Sequence, residues 1–454
     1  MAPRPGRYLA PFLALVLTLA AAAEDTAARG LSLVRDAEIE DTIRAYARPL
    51  FSAAGLDYRV VKVHLVNDKA LNAFVAGGQR LFVFTGLLRA TERPNQLIGV
   101  IAHETGHIAG GHLARKQEAL RNMTVQTIIA LVLGAAAAVA SGRGDAVGAI
   151  ALGGSSAAQR IFLKYSRTEE SAADHAALRI LDITGQSATG MLEFLERLED
   201  QDVLVGSGQD PYVRTHPLVA ERLAAVRFHV AQSPNSDRPD PPEFIAAHER
   251  MQAKLRGFLD RPSATLRRYP ASDTSVGARY ARAVAYHREA DLERALIEID
   301  SLIAEQPGDP YFNELKGQIL YESGKVPESI PPYRRAVDFH PGSPLLRLGL
   351  AQALIASGNA ELNAEAIRHL EDAVGRDREL PDAWHQLSIA YGRAGELGLS
   401  ALASAERALS TGKFKEAIGQ AGRAQNKMPE GSPGWLRAQD VELLAQSEAK
   451  KRRR

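Results

Sequence analysis

The sequence predicts a mainly α-helical protein in two parts, an α+β domain with a small β-sheet followed by an all-α array of helical repeats. Three features support this fold class: short β-branched segments ahead of a long apolar helix, a Pro-rich polar stretch at residues 233–242, and turn signals that recur with a fixed period beyond it. A chain of 454 residues is long enough for each part to bury a core.

Residues 1–23 are predicted to form a secretory signal peptide. Arg4 and Arg7 provide the basic start, residues 8–20 the apolar core, and three alanines before Glu24 the small-residue cleavage site. The apolar run is too short to favour a retained membrane anchor. Cleavage would leave 55 − 2 = 53 basic residues against 54 acidic ones. This near-neutral balance argues against a nucleic-acid partner, which would require a basic surface.

Cysteine is absent from the chain. This excludes disulfides, cysteine metal ligands and lipid attachment at a cysteine after the signal. An exported chain of this composition depends on its hydrophobic core for stability.

The first segments after the signal predict a small sheet. Residues 60–66 alternate and are β-branched, as expected of a strand, and Asn67-Asp68 indicates a turn. Gly77-Gly78 indicates a hairpin before a second strand at residues 80–84. The edge of such a sheet could pair with an extended peptide backbone, or the hairpin could be scaffolding alone. His64 is interpreted as a strand side chain rather than a metal ligand.

The stretch His103-Glu104-Thr105-Gly106-His107 follows an apolar lead-in that predicts a helix. Residues four apart share one helical face, so His103 and His107 can bind one metal ion together. Glu104, one position along, can act as general base toward a water molecule at that metal. Two solvent-facing histidines on an ordinary amphipathic helix are the alternative. A catalytic zinc has three protein ligands and a water, so a third ligand must come from elsewhere.

A second helix, predicted to begin near Ser166, presents two carboxylates at the same spacing. Glu170 and Asp174 are four residues apart, so one can bind the metal while the other orients a ligand histidine from behind. Capping and surface charges are the alternative, and Glu169 fits that description. These residues alone do not decide between Glu169 and Glu170 as the ligand.

His216 is a further candidate because it precedes Pro217, which favours an extended or turn conformation. It could stabilise an oxyanion, or bind the metal as a fourth ligand and keep the site latent. A histidine that caps a helix beginning at Pro217 is the structural alternative. Arg222 is also a candidate, although a helix-surface arginine is the preferred interpretation.

An apolar, alanine-rich segment spans residues 125–158. Its first run of sixteen residues is short for a membrane-spanning helix, so a buried or surface-lying helical hairpin over the site is predicted. A lid and a peripheral membrane contact are the alternatives.

Residues 231–274 are predicted to form a linker and a connecting helix from Glu243 to Leu259, and residues 275–446 an array of repeats. Pro307-Gly308-Asp309-Pro310 recurs as Pro341-Gly342-Ser343-Pro344, a shift of 341 − 307 = 34 residues. This is the tetratricopeptide period, although a plain helical bundle is an alternative. About four units are predicted, with an insertion around Glu361 to Glu365 and a final capping unit. Residues 447–454 are predicted to be a disordered basic tail.

Four blocks in chain order together resemble the HtpX-related zinc peptidases. They are an N-A-F … G-G … T-G-L-L block (72–88), HETGH with a G-H-x-x-R continuation (103–115), YSRTEESAAD (165–174) and an H-P … R block (215–222). The resemblance implies a gluzincin metalloprotease domain at residues 24–230. It implies one Zn²⁺ per chain, bound by His103, His107 and Glu170, with Glu104 as the catalytic base and Asp174 behind a ligand histidine.

With the signal peptide and the repeats, nearly the whole mature chain resembles the BepA-type periplasmic metalloproteases. The resemblance implies a zinc endopeptidase in the periplasm of a Gram-negative bacterium that acts in quality control and assembly of outer-membrane proteins. Its repeat groove would recruit unfolded or stalled outer-membrane proteins or their assembly machinery. The alternative is a repeat-based chaperone or adaptor with a latent protease site.

Overall fold

The computed structural model describes residues 33–76, 79–112, 167–205, 216 and 220–453. The predicted signal peptide, the apolar segment at 125–158 and the glycine pair at 77–78 lie outside the described residues. Within them, no helix combines the length and the apolar character needed to cross a bilayer.

Four strands form one small sheet in the N-terminal part. They are β1 (Leu33–Val34), β2 (Lys62–Val66), β3 (Ala73–Ala76) and β4 (Arg80–Phe84), in the order β1-β2-β4-β3. β2 and β4 are parallel, whereas β1 pairs with β2 and β3 pairs with β4 antiparallel. Both predicted strands are present as β2 and β4, but they lie parallel to each other, and the antiparallel partner of β4 is β3, which was not predicted to be a strand. β2 is shorter than predicted because Tyr58–Val60 forms a 3₁₀ turn.

Six α-helices are described in the N-terminal part outside the gaps at 113–166, 206–215 and 217–219. They are α1 (Ala37–Ala53), α2 (Thr85–Ala90), α3 (Pro94–Ala109), α4 (Arg167–Thr184), α5 (Thr189–Val205) and α6 (Ala220–Gln232). α3 is buried along almost its whole length and packs against α1, α4 and α5. One face of the sheet joins this core through side chains such as Val63, Val75 and Leu81.

The close contact between α3 and α4 depends on Gly106. A Cβ atom at this position would lie 2.5 Å from the backbone oxygen of Ala173, far inside van der Waals contact. The small residue between the two histidines of α3 therefore allows the acidic helix α4 to pack directly against them.

The C-terminal part is a series of paired antiparallel helices, preceded by α7 (Pro242–Leu259) and α8 (Pro262–Arg268). The pairs are α9 (Val276–Arg288) with α10 (Leu292–Glu305), α11 (Pro310–Glu322) with α12 (Val326–Phe339), α13 (Pro344–Ala356) with α14 (Ala360–Arg376), α15 (Pro381–Arg393) with α16 (Leu397–Ser410), and α17 (Phe414–Gln425) with α18 (Pro433–Arg453). Four pairs are thus followed by a terminal pair. The architecture confirms the predicted mainly α fold class with a small sheet and an all-α array.

The insertion expected around Glu361 to Glu365 falls within α14, whereas the basic end differs from expectation. The first helices of successive pairs begin at residues 276, 310, 344 and 381, so the third interval is three residues longer, and α14 has 17 residues where α10 and α12 have 14. The insertion lengthens a helix. The basic end, predicted to be disordered, is helical through Arg453, where Lys451 pairs with Glu448 at 2.8 Å. The basic end is helical because it continues α18, which is held in place by the buried side chains of Ala438, Val441 and Ala445.

A buried group of charges joins the repeat array to the N-terminal part. We call it the junction cluster; its members are Asp36, Glu38, Arg250, Lys254, Tyr280 and Glu314. Lys254 is 1% exposed, and its Nζ lies 2.7 Å from Asp36, 3.4 Å from Glu38 and 3.6 Å from Glu314. The Tyr280 hydroxyl donates a hydrogen bond to Glu38 at 2.7 Å.

The turns between successive helix pairs also contact α7 and the N-terminal part. Each of the first three of these turns contributes one or two polar side chains: Asp309 to Arg250 of α7, His340 to Asp41 of α1, and Asp377 and Glu379 to Arg35 and Lys62. The array is therefore held along its length rather than at one end.

Candidate metal centre

The two histidines of the HETGH stretch and the glutamate between them are buried on α3. His103, Glu104 and His107 are each exposed by 1% or less, which contradicts the alternative of solvent-facing histidines. The helix begins with Pro94 in its first turn, where the missing proline N–H costs nothing, and it continues with an apolar run that holds it in the core. Its histidines are therefore fixed by packing.

Four side chains bring possible metal-binding atoms within 4.8 Å of one another: His103, His107, Glu170 and His216. His103 Nε2 lies 3.1 Å from His107 Nε2, 3.4 Å from Glu170 Oε2 and 3.4 Å from His216 Nδ1. Glu170 Oε1 lies 3.1 Å from His107 Nε2 and 3.0 Å from His216 Nδ1. Tetrahedral ligands with bonds of about 2.0–2.1 Å stand roughly 3.4 Å apart, so these separations match a tetrahedral site.

The hydrogen bonds behind the two histidines of α3 direct their lone pairs toward this site. His103 Nδ1 lies 2.8 Å from Asp174 Oδ1, and an ionised carboxylate only accepts, so Nδ1 donates. In the neutral ring, Nε2 then carries a lone pair. His107 Nδ1 likewise has a partner, His112 Nδ1, at 3.0 Å. Where His107 donates to His112, its Nε2 lone pair faces Nε2 of His103 at 3.1 Å, and a cation between two such lone pairs removes their repulsion, so the donor set fits a metal ion.

The charges of the site lead to the same conclusion. Glu104, Glu170 and Asp174 are buried carboxylates, and Arg222 is the permanent cation that contacts two of them. Hydrogen bonds and charge attraction from Asp174 and Glu170 outweigh the effect of burial and raise the pKa of His103 to about 10. The pKa of Glu170 is lowered, because its contacts with His216, His103 and His107 outweigh burial. The group demands positive charge, which a divalent ion can supply.

Glu104 lies beside the four donors without being one of them. Neither of its carboxylate oxygens has a hydrogen-bond partner among the described residues, and Oε1 lies 3.4 Å from His216 Nε2. Burial raises the pKa of Glu104 above its usual value, against the attraction of His216 and His103. A raised pKa suits a carboxylate that must take up a proton and release it again.

Asp174 and Arg222 support the donors from behind. Arg222 Nε lies 2.6 Å from Asp174 Oδ2, and Nη1 lies 2.6 Å from Glu170 Oε2. Arg222 is 3% exposed, so the preferred prediction of a helix-surface arginine is wrong. The reason is that α6 turns this residue toward α4, where two carboxylates compensate the cost of burying a guanidinium.

The structure separates Glu169 from Glu170. Glu170 is fully buried and faces the histidines, whereas Glu169 is partly exposed on the same helix. Of the two alternatives that the spacing left open, Glu170 is therefore the one near the donor atoms.

His216 is buried among the donors, with its Nδ1 in the position of a fourth ligand and its Nε2 near Glu104. Residues 217–219 lie outside the described residues, and the described helix α6 begins at Ala220. The alternative of a helix cap at Pro217 is therefore not addressed by the described geometry.

His112 is a residue that the sequence motifs marked only as part of a block. Gly111 has φ +63°, which reverses the chain at the end of α3 and lets the His112 N–H bond the carbonyl of His107 at 3.2 Å. A Cβ at Gly110 would lie 2.6 Å from His112 Nε2, so glycine makes room for the ring. The Gly110-Gly111 pair was the available signal that the next side chain folds back onto the helix.

Strand β3 forms the edge of the sheet next to α3. The Phe84 N–H donates a hydrogen bond to the Asn72 carbonyl at 3.0 Å. Hydrogen-bonded pairs alternate along antiparallel strands, so the backbone N–H and C=O groups of residues 74 and 76 point toward β4. The backbone groups of Ala73 and Val75 point the other way, to the outer edge of the sheet. The Val75 backbone lies close enough to Glu104 to lower the pKa of that carboxyl, although burial dominates. The outer edge of β3 thus borders the candidate metal centre.

Comparisons with known proteins agree with this arrangement. Residues 34–229 match the model of Peptidase family M48, and residues 280–344 and 314–368 match a tetratricopeptide repeat model. The chain is similar to the Beta-barrel assembly-enhancing protease of Yersinia pestis, with 26% identity over 381 residues that cover 81% of this chain and 75% of the relative. The protein of the same name from Escherichia coli K12 is 25% identical over 404 residues, covering 88% and 81%. Metalloprotease YcaL of Escherichia coli K12 is 29% identical over 171 residues, covering 37% of this chain and 61% of the relative.

Proposed function

We propose that this chain, which joins a region matching Peptidase family M48 to C-terminal tetratricopeptide repeats, is a zinc-dependent endopeptidase. It would act in the assembly and quality control of outer-membrane proteins. The observation that carries the proposal is the donor set of His103, His107 and Glu170, with Glu104 beside it. Two imidazoles and one carboxylate in tetrahedral arrangement favour zinc among the common divalent ions.

In the proposed reaction, zinc when bound polarises the scissile carbonyl and makes water more acidic. Glu104 takes a proton from the attacking water and delivers it to the leaving amine. Asp174 holds the Nδ1–H of His103 and so keeps its Nε2 directed at the site. Arg222 orients Glu170 and Asp174 together, because one guanidinium contacts both carboxylates.

The substrate is proposed to bind as an additional strand on the outer edge of β3. Ala73 and Val75 direct backbone groups to this edge, and Val75 lies beside Glu104. Strand addition places a scissile peptide bond next to the base and recognises backbone rather than sequence. It selects for segments that are extended and unpaired, which is a property of unfolded or stalled β-strand proteins.

The placement in the periplasm of a Gram-negative bacterium rests on the signal-like pattern at residues 1–23 and on the relatives. Two relatives named Beta-barrel assembly-enhancing protease are similar to this chain over 81% and 88% of its length. The repeats are proposed to bind partner proteins, either substrates or components of the assembly machinery, because such arrays form extended protein-binding surfaces.

A latent protease with a chaperone or adaptor role is the second candidate, and His216 is the observation that favours it. Its Nδ1 stands 3.0 Å from Glu170 and 3.4 Å from His103, in the position where a catalytic zinc keeps its water. A site with four protein ligands is closed. His216 would then act as a latch, and its withdrawal would open the site; a His216 that instead stabilises the oxyanion would assist catalysis.

The test measures zinc content and casein cleavage of the mature chain from Glu24 onward, beside Glu104→Gln and His216→Ala. One zinc per chain with cleavage that depends on Glu104 supports the endopeptidase. Faster cleavage by His216→Ala supports the latch, and slower cleavage with zinc retained supports the oxyanion role. Bound zinc without cleavage in any variant would overturn the endopeptidase proposal in favour of the adaptor.

A further inference from the structure

The terminal helix pair borders an open pocket of about 750 Å³ at the end of the repeat array. We call it the C-terminal pocket. It lies between the start of α17 and the last turns of α18, beyond the residues that match the repeat model. The side chains that define it are Lys413, Phe414, Lys415, Ile418, Ala449 and Lys450.

The floor of the C-terminal pocket is apolar. Phe414 packs against Ala408, Ala417 and Ala445, so its ring is fixed, and Ile418 and Ala449 are partly exposed beside it. The partly exposed side chains of Ile418 and Ala449, next to the buried Phe414 ring, offer one apolar side chain a place to leave water. Such a floor indicates a ligand with an apolar group.

The rim of the same pocket is cationic. Lys413, Lys415 and Lys450 stand around it with Glu416 as the single lining carboxylate, and the nearest approach of Lys413 to Glu416 is a loose 3.9 Å. Lys415 and Lys450 form no ion pair with any described residue. The side chain of Lys413, at the N-cap of α17, makes no capping hydrogen bond, and the first turn of this helix, its positive end, lines the pocket. The whole chain has a formal net charge of only +1, and this rim is therefore a local concentration.

We propose that the C-terminal pocket binds an acidic, extended polypeptide segment that places one apolar side chain on the Phe414 floor and carboxylates beside Lys415 and Lys450. Charge complementarity argues for the acidic partner, and concavity argues for a peptide rather than a bilayer surface. The proposal deepens the role of the repeats as the partner-binding part. It does not depend on the proteolytic step.

The test is fluorescence anisotropy of the full mature chain with labelled heptapeptides. The probe has Asp and Glu residues around one central Phe; one control peptide replaces Phe by Gly, and another replaces the acids by Lys. Lys415→Glu is expected to weaken binding at least tenfold, and the double variant with Lys450→Glu to abolish it. Lys427→Glu is the matched control, because Lys427 is an exposed lysine just after the same helix that does not line the pocket. It is expected to change binding less than twofold.

The outcomes separate this proposal from the enzymatic one, since casein cleavage is measured on the same samples. Retained cleavage with lost peptide binding in Lys415→Glu supports the pocket. Equal weakening by Lys427→Glu would show diffuse charge attraction and overturn it, as would equal affinity for the Gly or the Lys peptide. A third outcome would overturn the proposal: the protein binds phosphatidylglycerol vesicles but none of the peptides, and Lys415→Glu weakens the vesicle binding. The pocket would then be assigned to a lipid surface.

Discussion

The junction cluster and the candidate metal centre both bury carboxylates, and they compensate the buried charge in opposite ways. In the junction cluster, Lys254 and Arg250 are permanent cations that belong to the chain and lie within 2.7 Å of Asp36 and Glu38. In the candidate metal centre, the described residues supply one such cation, Arg222, for three buried carboxylates, and the four donor side chains lie close enough together to hold a divalent ion. The junction cluster is therefore neutralised by the chain's own side chains and holds two parts of the protein together. The metal centre instead depends on a bound cation, which can be removed and replaced.

The largest expected effect comes from removing the proton carrier of the metal centre. Glu104→Gln is expected to lower kcat about 10³-fold, because a general base contributes two to four orders of magnitude. Zinc content should stay at the wild-type value, since Glu104 is not among the donors. Casein cleavage and metal analysis on one preparation measure both quantities. Glu169→Gln is the matched control and should retain activity; a variant at 104 that still cleaves at wild-type rate would contradict the assignment.

The junction cluster can be broken without touching the metal centre. Lys254→Met is expected to lower the free energy of unfolding by about 3–5 kcal/mol, because removal of one partner leaves buried charges uncompensated. Urea unfolding measures the loss, and Lys316→Met provides the control. Lys316 pairs with Asp300 at 2.6 Å on the surface, where a pair contributes less than about 1 kcal/mol.

We expect Glu104→Gln to change only catalysis and Lys254→Met to change only the free energy of unfolding. Zinc content of Lys254→Met should equal that of the wild type, because no junction residue is a donor. Loss of zinc together with loss of stability would show that the two charge groups are coupled, and the contrast between them would fail.

A smaller effect is expected behind the metal ligands. His112→Phe removes the group that meets His107 Nδ1 at 3.0 Å, and loss of such a partner typically costs 10–100-fold in metal affinity. Competition with a chromogenic chelator measures the zinc affinity. His112→Asn retains a hydrogen-bond acceptor and should recover part of the loss. Equal affinities for Phe and Asn variants would mean that the ring, rather than its hydrogen bond, matters.

The smallest effect concerns a buried histidine outside both groups. His64 stacks on Phe82 with ring centroids 5.0 Å apart, and burial, with smaller contributions from nearby charges, lowers its pKa to about 3. A depressed folded-state pKa gives stability that is complete above the unfolded value of about 6.5 and is lost as pH falls toward 3. At pH 5 this loss is about 2 kcal/mol. The stability difference between wild type and His64→Phe should shift by that amount from pH 8 to pH 5, and a constant difference would contradict it.

The sequence predicted those parts of the fold and site that depend on local periodicity. The i, i+4 spacing of His103 and His107, and of Glu170 and Asp174, determines a shared helical face, and the 34-residue period determines a paired-helix array. The predicted resemblance and fold class are confirmed, whereas the roles assigned to the site residues remain predictions.

What the sequence missed depends on long-range packing. Arg222 lies 48 positions from Asp174, and no helical pattern shows that two carboxylates will meet its guanidinium. The junction cluster joins residues more than two hundred positions apart, such as Tyr280 and Glu38. Charged residues of this kind are indistinguishable from surface charges until the elements are docked.

The docking of three successive inter-repeat turns onto α7 and the N-terminal part restricts how the array can change in length. Asp309, His340 and Glu379 each meet a different partner, so their spacing along the array must match that of the partners. A duplicated helix pair inserted among them would shift every later turn out of register. New pairs are tolerated only after α16, and gains and losses of repeats during evolution should therefore accumulate at the C-terminal end.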